Sequence, residues 1–279
     1  MRSLDEKREA LLAAIGRLQS CAVAFSGGVD SAVVAKAAAV ALGERAVAVT
    51  GASASLASGE REQAEELARL IGIRHLVIDT HELENGDYAR NAPDRCFHCK
   101  TELYSRLAEL LPRLGVRAMV NGANADDLGD YRPGMQAAAN HQIVSPLADC
   151  QLTKADVRQL AADWGLPVWD KPATPCLSSR IAYGEEVTSE RLAMIDRAEL
   201  YLRGLGLREF RVRYHKGDLA RIEIPLAELP RLIEAERRQE LAGEFRRLGF
   251  KFVTLDLEGF RSGSLNQLVQ IGSVAEASG

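Results

Sequence analysis

The sequence predicts an α/β protein, a parallel sheet with helices on both faces, followed by a smaller α+β C-terminal domain. Three observations carry that expectation. Between residues 21 and 163 short apolar runs alternate with helical stretches, the order that builds a parallel sheet. The runs "CAVAFS" and "AVAVTG" read as buried strands. After about Val187 the pattern changes to helix, hairpin, helix and strand, which places a domain boundary near residue 186. The expected domains are therefore 1–186 and 187–279.

The elements follow in order. "MRSLDEKREALLAAIGRLQS" has helical spacing, with Ser3 and Glu6 in a capping box. "CAVAFS" is the first strand, and "SAVVAKAAAVALG" a helix ending at Gly43. "AVAVTG", "SGEREQAEELARLIG" and "RHLVIDT" continue as strand, helix, strand. "KTELYSRLAELLPRLG" is an amphipathic helix and "AMVNG" a strand. "SPLADCQLTKADVRQLAADWGLP" gives a loop and then a helix capped by Thr153 with Asp156, stopped at Gly-Leu-Pro. Beyond the boundary, "TSERLAMIDRAELYLRGLG" is a helix and "EFRVRYHKGDLARIEIP" a hairpin through Lys216-Gly217-Asp218. "RLIEAERRQELAGEFRRLG" reads as one further helix, "KFVTLDL" as a last strand and "VAEASG" as a frayed end.

Composition sets the class. With 279 residues, 47% hydrophobic and 27% charged, the chain has apolar material for a real core. A net charge of −4 gives no support for a general nucleic-acid binder. No secretory apolar stretch or bilayer-length run is seen, so no membrane partner is expected and the cytoplasm is the expected location. There the five cysteines are expected as thiols, metal ligands or catalysts.

The first strand runs into Ser26-Gly27-Gly28-Val29-Asp30-Ser31 and then a helix. Backbone N–H groups at that helix N-terminus face outward, and two glycines let an anion approach closely. Ser26 and Ser31 add hydroxyl donors. This is neither a Walker A loop nor G-x-G-x-x-G. A tight strand-to-helix turn is the plain alternative. The hexapeptide as a whole resembles the pyrophosphate loop (PP-loop) of the ATP pyrophosphatases, and two more stretches agree. "NGANADDLGDYRPG" resembles that superfamily's second nucleotide-side loop, and "SPLADCQLTKADVRQLAADWGLP" the segment that closes many such domains. The resemblance implies an enzyme that splits ATP between the α and β phosphates. It places Ser26, Gly27, Gly28, Asp30 and Ser31 around pyrophosphate, with Gly122, Asn124, Asp126 and Arg132 on the nucleotide side. Asp30 or Asp126 would help hold Mg²⁺, or would be ordinary cap and turn residues.

The cysteines narrow the nucleophile. Cys96 and Cys99 form C-x-x-C in "PDRCFHCK", and Cys176 stands in "KPATPCLSSRIAYG". Such a pair serves zinc, iron–sulfur and redox sites alike. Three cysteines without an obvious fourth favour a [4Fe–4S] cluster with one open iron; His98 is a weak fourth ligand for zinc. Cys21 and Cys150 read as small buried hydrophobes.

"TPCLSSRIAYGEEVT", "YLRGLGLREFRVRYHKGDLARIEIP" and "FKFVTLDLEGFRSG" resemble the LarE family over nearly the whole chain. These are the ATP-dependent sulfur transferases that make the nickel-pincer cofactor of lactate racemase. The resemblance implies adenylation of a carboxylate of pyridinium-3,5-biscarboxylic acid mononucleotide, release of pyrophosphate, and sulfur insertion to a thiocarboxylate. Some members sacrifice the sulfur of the cysteine matching Cys176. Others match Cys96, Cys99 and Cys176 and hold an iron–sulfur cluster, the type expected here. Sulfide or a cysteine-derived donor would supply sulfur, and a homo-oligomer is implied.

Arg211 and Arg213 sit two apart on one strand, and Arg221 and Glu223 repeat the spacing on its partner. Such a face suits a phosphorylated, doubly carboxylated substrate, or pairs with its own carboxylates. Ser179 and Arg180, beside Cys176, complete the expected substrate contacts. Three rivals are weaker. A tRNA thiolase would need an RNA-binding surface. An amidating synthetase has no need of three cysteines. A non-enzymatic nucleotide-binding module would not need the intact loop.

Overall fold

The computed structural model describes residues 3–129, 133–172 and 174–261. The frayed end expected at "VAEASG" lies outside them. In chain order the elements are α1 (Leu4–Arg17), β1 (Cys21–Ala24), α2 (Val29–Leu42), β2 (Ala46–Ala52), α3 (Glu60–Ile71) and β3 (Arg74–Asp79). Then follow α4 (Gly86–Ala89), α5 (Arg95–Leu114), β4 (Ala118–Val120), α6 (Pro133–Asn140), α7 (Pro146–Asp149) and α8 (Lys154–Asp163). The rest are α9 (Ser189–Gly204), β5 (Arg211–His215), β6 (Leu219–Glu223), α10 (Leu229–Ile233), α11 (Ala235–Arg247) and β7 (Phe252–Leu255). Backbone contacts divide the chain into two compact units, one of Met1–Ser53, Gly59–Glu82 and Cys96–Thr174, the other of Ala54–Ser58, Leu83–Arg95 and Pro175–Gly279.

The first unit is built on a parallel sheet of order β3-β2-β1-β4. Its strands point alternate side chains to opposite faces. Cys21, Val23, Ala46, Ala48 and Val120 pack into a core with α1, α2, α3 and α8. Ala22, Val47, Val49 and Met119 pack with Leu103, Leu107 and Leu111 of α5 on the other side. Helices cover both faces, as the alternation of elements predicts. α2 is apolar nearly all round, because it lies between the sheet and the helices α1 and α8. Its alanines are small enough to let both neighbours approach. The capping boxes at Ser3–Glu6 and Thr153–Asp156 are both formed.

In the second unit β5 and β6 form the antiparallel hairpin, with Gly217 and Asp218 at positive φ in its turn, and β7 joins β6 in parallel. Val212, Tyr214, Ala220 and Ile222 are buried with Leu202 of α9 and Phe245 of α11.

Three local expectations shift. α5 starts at Arg95, so Cys96 and Cys99 lie on its first turn rather than ahead of it. "SPLADC" contains the short helix α7. The helix expected over "RLIEAERRQELAGEFRRLG" breaks at Glu234, whose backbone is extended (φ −52°, ψ 141°). An unbroken helix would set Leu232 and Leu241 on opposite sides, roughly two and a half turns apart. The break lets both be buried.

Candidate active site

The strand order reverses between β1 and β4, and open α/β sheets bind ligands at the carboxyl ends of such strands. Both connections there are specialised. After β1, Phe25 N–H donates to Val49 O (2.8 Å), and the chain turns through Gly27 at φ +71° into α2, whose N-cap is Gly28. A Cβ on Gly27 would sit 3.4 Å from the Ala64 Cβ. Ser31 Oγ donates to Gly28 O (3.0 Å) and lies 3.2 Å from Ser26 Oγ, so both hydroxyls gather at the helix start. Gly28 lacks a side-chain cap, leaving the first N–H groups of α2 to a ligand.

After β4, Gly122 presses against this loop: a Cβ there would lie 2.8 Å from Ser31 N and 3.0 Å from Asp30 C. Asn124 Nδ2 donates to Asp30 Oδ1 (3.1 Å), and Lys154 Nζ, at the start of α8, donates to Asp30 Oδ2 (2.5 Å). Asp126 Oδ2 accepts from Lys154 N–H (2.8 Å), so this carboxylate caps α8. A cavity of about 390 Å³ opens here, bordered by Ser26, Asp30, Ser31, Gly122, Cys96 and Lys100. Arg132 lies outside the described residues.

Lys154 and Lys100 escaped the sequence reading. A signal for Lys154 was present: a lysine at the first helical position opposes the helix dipole, and a nearby anion must compensate. Which anion it meets is a matter of long-range packing.

None of the five cysteines is in a disulfide. Cys21 and Cys150 are buried, and burial pushes the Cys21 thiol up to about 12. Cys96 and Cys176 are exposed and Cys99 half-buried. Cys96 and Cys99, three apart on a helix, share one face. Among the described residues no group of three or more His, Cys, Asp or Glu side chains is arranged to hold a metal ion.

Cys176 is the N-cap of the 3₁₀ turn Leu177–Arg180. Ser179 N–H and Oγ both donate to Cys176 O (3.0 and 2.7 Å). Arg180 is buried and forms a two-pronged pair with Glu199 (3.0 and 3.3 Å), while its Nη1 also donates to Pro175 O and Cys176 O. On the hairpin Arg211 lies opposite Glu223 and Arg213 opposite Arg221. Glu223 bonds both Arg213 (3.0 Å) and Arg221 (3.1 Å). Arg213 also donates to Ser179 O (2.8 Å). The Arg211 guanidinium lies over the Phe260 ring at 4.9 Å. Burial, with Arg213 and Arg180 close by, lowers its pKa to about 10 against the opposing pull of Glu223 and Glu199.

Residues 8–128 match the asparagine synthase family model. The protein slr1717 of Synechocystis is 47% identical over 266 residues, covering 95% of this chain and 99% of the relative. Pyridinium-3,5-bisthiocarboxylic acid mononucleotide synthase of Lactiplantibacillus plantarum is 37% identical over 276 residues, 99% of each chain. The tRNA-specific 2-thiouridylase MnmA of Xanthobacter autotrophicus is 32% identical over 189 residues, 54% of this chain and 48% of its own. With an N–H cradle at the sheet's switch point and near full-length identity to that synthase, the chain belongs to the LarE family of PP-loop, ATP-dependent sulfurtransferases.

Proposed function

We propose that this protein adenylates a carboxylate of pyridinium-3,5-biscarboxylic acid mononucleotide with ATP and replaces the activated oxygen by sulfur. The observation that carries this reading is that a thiol, Cys96, borders the same cavity as the Ser26–Ser31 cradle. An enzyme using ammonia has no use for sulfur at that place.

The substrate carboxylate oxygen attacks the α-phosphorus, the bridging P–O bond breaks, and pyrophosphate leaves with the electron pair. The N–H groups at the start of α2, with Ser26 and Ser31, stabilise the charge that develops on it. Lys100 borders the cavity and supplies further positive charge, and Lys154 is paired with Asp30 beside it. Sulfur then attacks the acyl carbon, AMP departs, and a thiocarboxylate remains. Of the two aspartates, Asp30 borders the cavity whereas Asp126 caps α8, so Asp30 is the one we assign to Mg²⁺, which would take the place that Lys154 holds on its carboxylate. Gly122 and Asn124 set the nucleotide side. Arg132 is kept in that role on the resemblance alone.

The thiols of Cys96, Cys99 and Cys176 fit a [4Fe–4S] cluster by their chemistry, being the accessible cysteines while Cys21 and Cys150 are buried. Such a cluster would supply an iron with an open position for sulfide, from free sulfide or a cysteine-derived donor. The substrate side is assigned to Ser179, Arg180, Arg211, Arg213, Arg221 and Glu223. Arg211, lacking a carboxylate partner among the described residues, is the member whose burial an anion would relieve. We further propose residues 1–186 as the ATP domain, and 187–279 as the part that meets the substrate and a second copy of the chain. The second copy rests on the family resemblance alone. Among the described residues no helix is long and apolar enough to cross a membrane, and we assign the reaction to the cytoplasm.

The test is anaerobic iron and acid-labile sulfide analysis of wild type and Cys176→Ala, with turnover counted against added sulfide. About four irons per chain, as a cubane requires, lost in the variant and accompanied by many turnovers, is the expected result. No iron, and at most one sulfur delivered per chain with Cys176 converted to dehydroalanine, would identify a sacrificial donor instead.

A further inference from the structure

The turn that carries Cys176 is braced from a segment to which no role has been given. Arg95 Nη1 donates to Ser178 O (2.7 Å) and bonds Asn91 Oδ1. Tyr88 Oη lies 2.6 Å from Ser178 Oγ. Asn91 Nδ2 donates to Ala182 O (2.8 Å) and Glu185 O (3.0 Å). Tyr88, Asn91, Arg95 and Ser178 are each at most 5% exposed. Asn91 also holds a left-handed backbone, φ +57°, a conformation costly for a non-glycine unless its surroundings over-determine it.

Apolar packing would stabilise this place at least as well, since burying a guanidinium carries a desolvation cost of several kcal/mol. What the polar arrangement adds is direction. The carbonyls of Pro175, Cys176, Ser178 and Ser179 each accept from a guanidinium, of Arg180, Arg95 or Arg213. The turn therefore has one orientation, which fixes the direction in which the exposed Cys176 side chain leaves the backbone. Arg95 is also the residue before Cys96 in the chain.

We propose that Arg95, together with Tyr88, is a positioning residue for Cys176, fixing the Leu177–Arg180 turn through Ser178 so that the thiol is presented in one direction. The inference rests on the reading of Cys176 as the reactive sulfur position. A lysine at 95 has no planar fork with which to hold Asn91 and Ser178 together, and misplacement by about 1 Å costs on the order of 10²-fold in rate.

The test compares Arg95→Lys and the milder Tyr88→Phe with wild type. In metal-free protein, alkylation of Cys176 by iodoacetamide is followed by peptide mass spectrometry. In anaerobically reconstituted protein, sulfur transfer is measured beside substrate-dependent ATP–pyrophosphate exchange. Expected are a Cys176 alkylation rate changed at least severalfold, a kcat for sulfur transfer lower by about 10- to 100-fold, and an unchanged KM for ATP in exchange. Alkylation and kcat equal to wild type in Tyr88→Phe and Arg95→Lys would overturn the proposal. So would an equal fall in transfer and exchange in the folded Tyr88→Phe protein, which marks a merely structural role. Alkylation needs neither ATP nor substrate. An absence of exchange in wild type would therefore count against the sulfur-transfer reading while leaving the brace to be judged by alkylation.

Discussion

The two loops to which we assign the chemistry are held by opposite means. The pyrophosphate loop is shaped by what it lacks. Gly27 takes a left-handed turn against Ala64, and Gly122 leaves no room for a Cβ beside Ser31 N. The N–H groups that begin α2 are left without a side-chain cap, while those of Ser26 and Gly28 are held by the loop's own serines. The Cys176 turn is shaped by what surrounds it, with buried guanidiniums of Arg95, Arg180 and Arg213 aimed at its carbonyls. A cradle for a diffusing anion must offer free donors, whereas a reactive thiol needs one fixed direction. The contrast teaches that rigidity at a site comes either from steric exclusion or from satisfied buried polarity.

Glu199→Gln tests the second mode most severely. Arg180 and Glu199 are only 4% and 6% exposed as side chains, and removing one charge leaves the other buried without compensation. A loss of about 3–5 kcal/mol in urea denaturation is expected. A loss below about 1 kcal/mol, the range of solvated pairs, would mean that the turn does not depend on its arginines.

Gly122→Ala tests the first mode. The added methyl meets backbone, not a flexible side chain, so α2 must shift at its first turn. About 1–3 kcal/mol of stability should be lost to overpacking, with a fall on the order of 10²-fold in kcat/KM for ATP–pyrophosphate exchange. Stability loss with normal exchange would show that the loop tolerates a wider gap than its geometry implies.

Acid should separate the regions by smaller effects. Burial lowers the pKa of His75, whose Nε2 lies 2.8 Å from Thr50 Oγ1 behind the pyrophosphate loop. Burial, with Arg221 and Arg213, likewise lowers that of His215 at the end of β5. A group whose folded pKa is depressed contributes stability above its unfolded value, lost as pH falls through the folded value. The thermal midpoint should therefore be level above the ordinary histidine value of 6.5 and decline below it. His75→Gln and His215→Gln should each flatten part of that decline. An unchanged slope in both would overturn the assignment to these histidines; Asp156, which hydrogen bonds from Lys7 and Thr153 hold below its ordinary value of 3.8 against the opposing effect of burial, loses its contribution only at still lower pH.

Much of this was legible in order. The hexapeptide from Ser26 to Ser31 was legible as a cradle through its resemblance, as a whole, to the PP-loop, since two glycines before a helix also build a plain turn. The hairpin through Gly217 and both capping boxes were readable because turns and caps are local chemistry. Lys154 meeting Asp30, and Arg95 meeting Ser178, were not, since each joins residues far apart in the chain. Nor was the break at Glu234, which is decided by where Leu232 and Leu241 find the core.

By itself the sequence determined the periodicities, the turn residues and the caps, because these depend on neighbours within a few residues. Only the tertiary structure decided which charges compensate one another. It left Arg211 over a ring with no carboxylate ion pair among the described residues, and it committed Arg180 to Glu199. The physical reason is that burial strengthens every electrostatic contact while its partner comes from a distant segment, so identity is local but pairing is not.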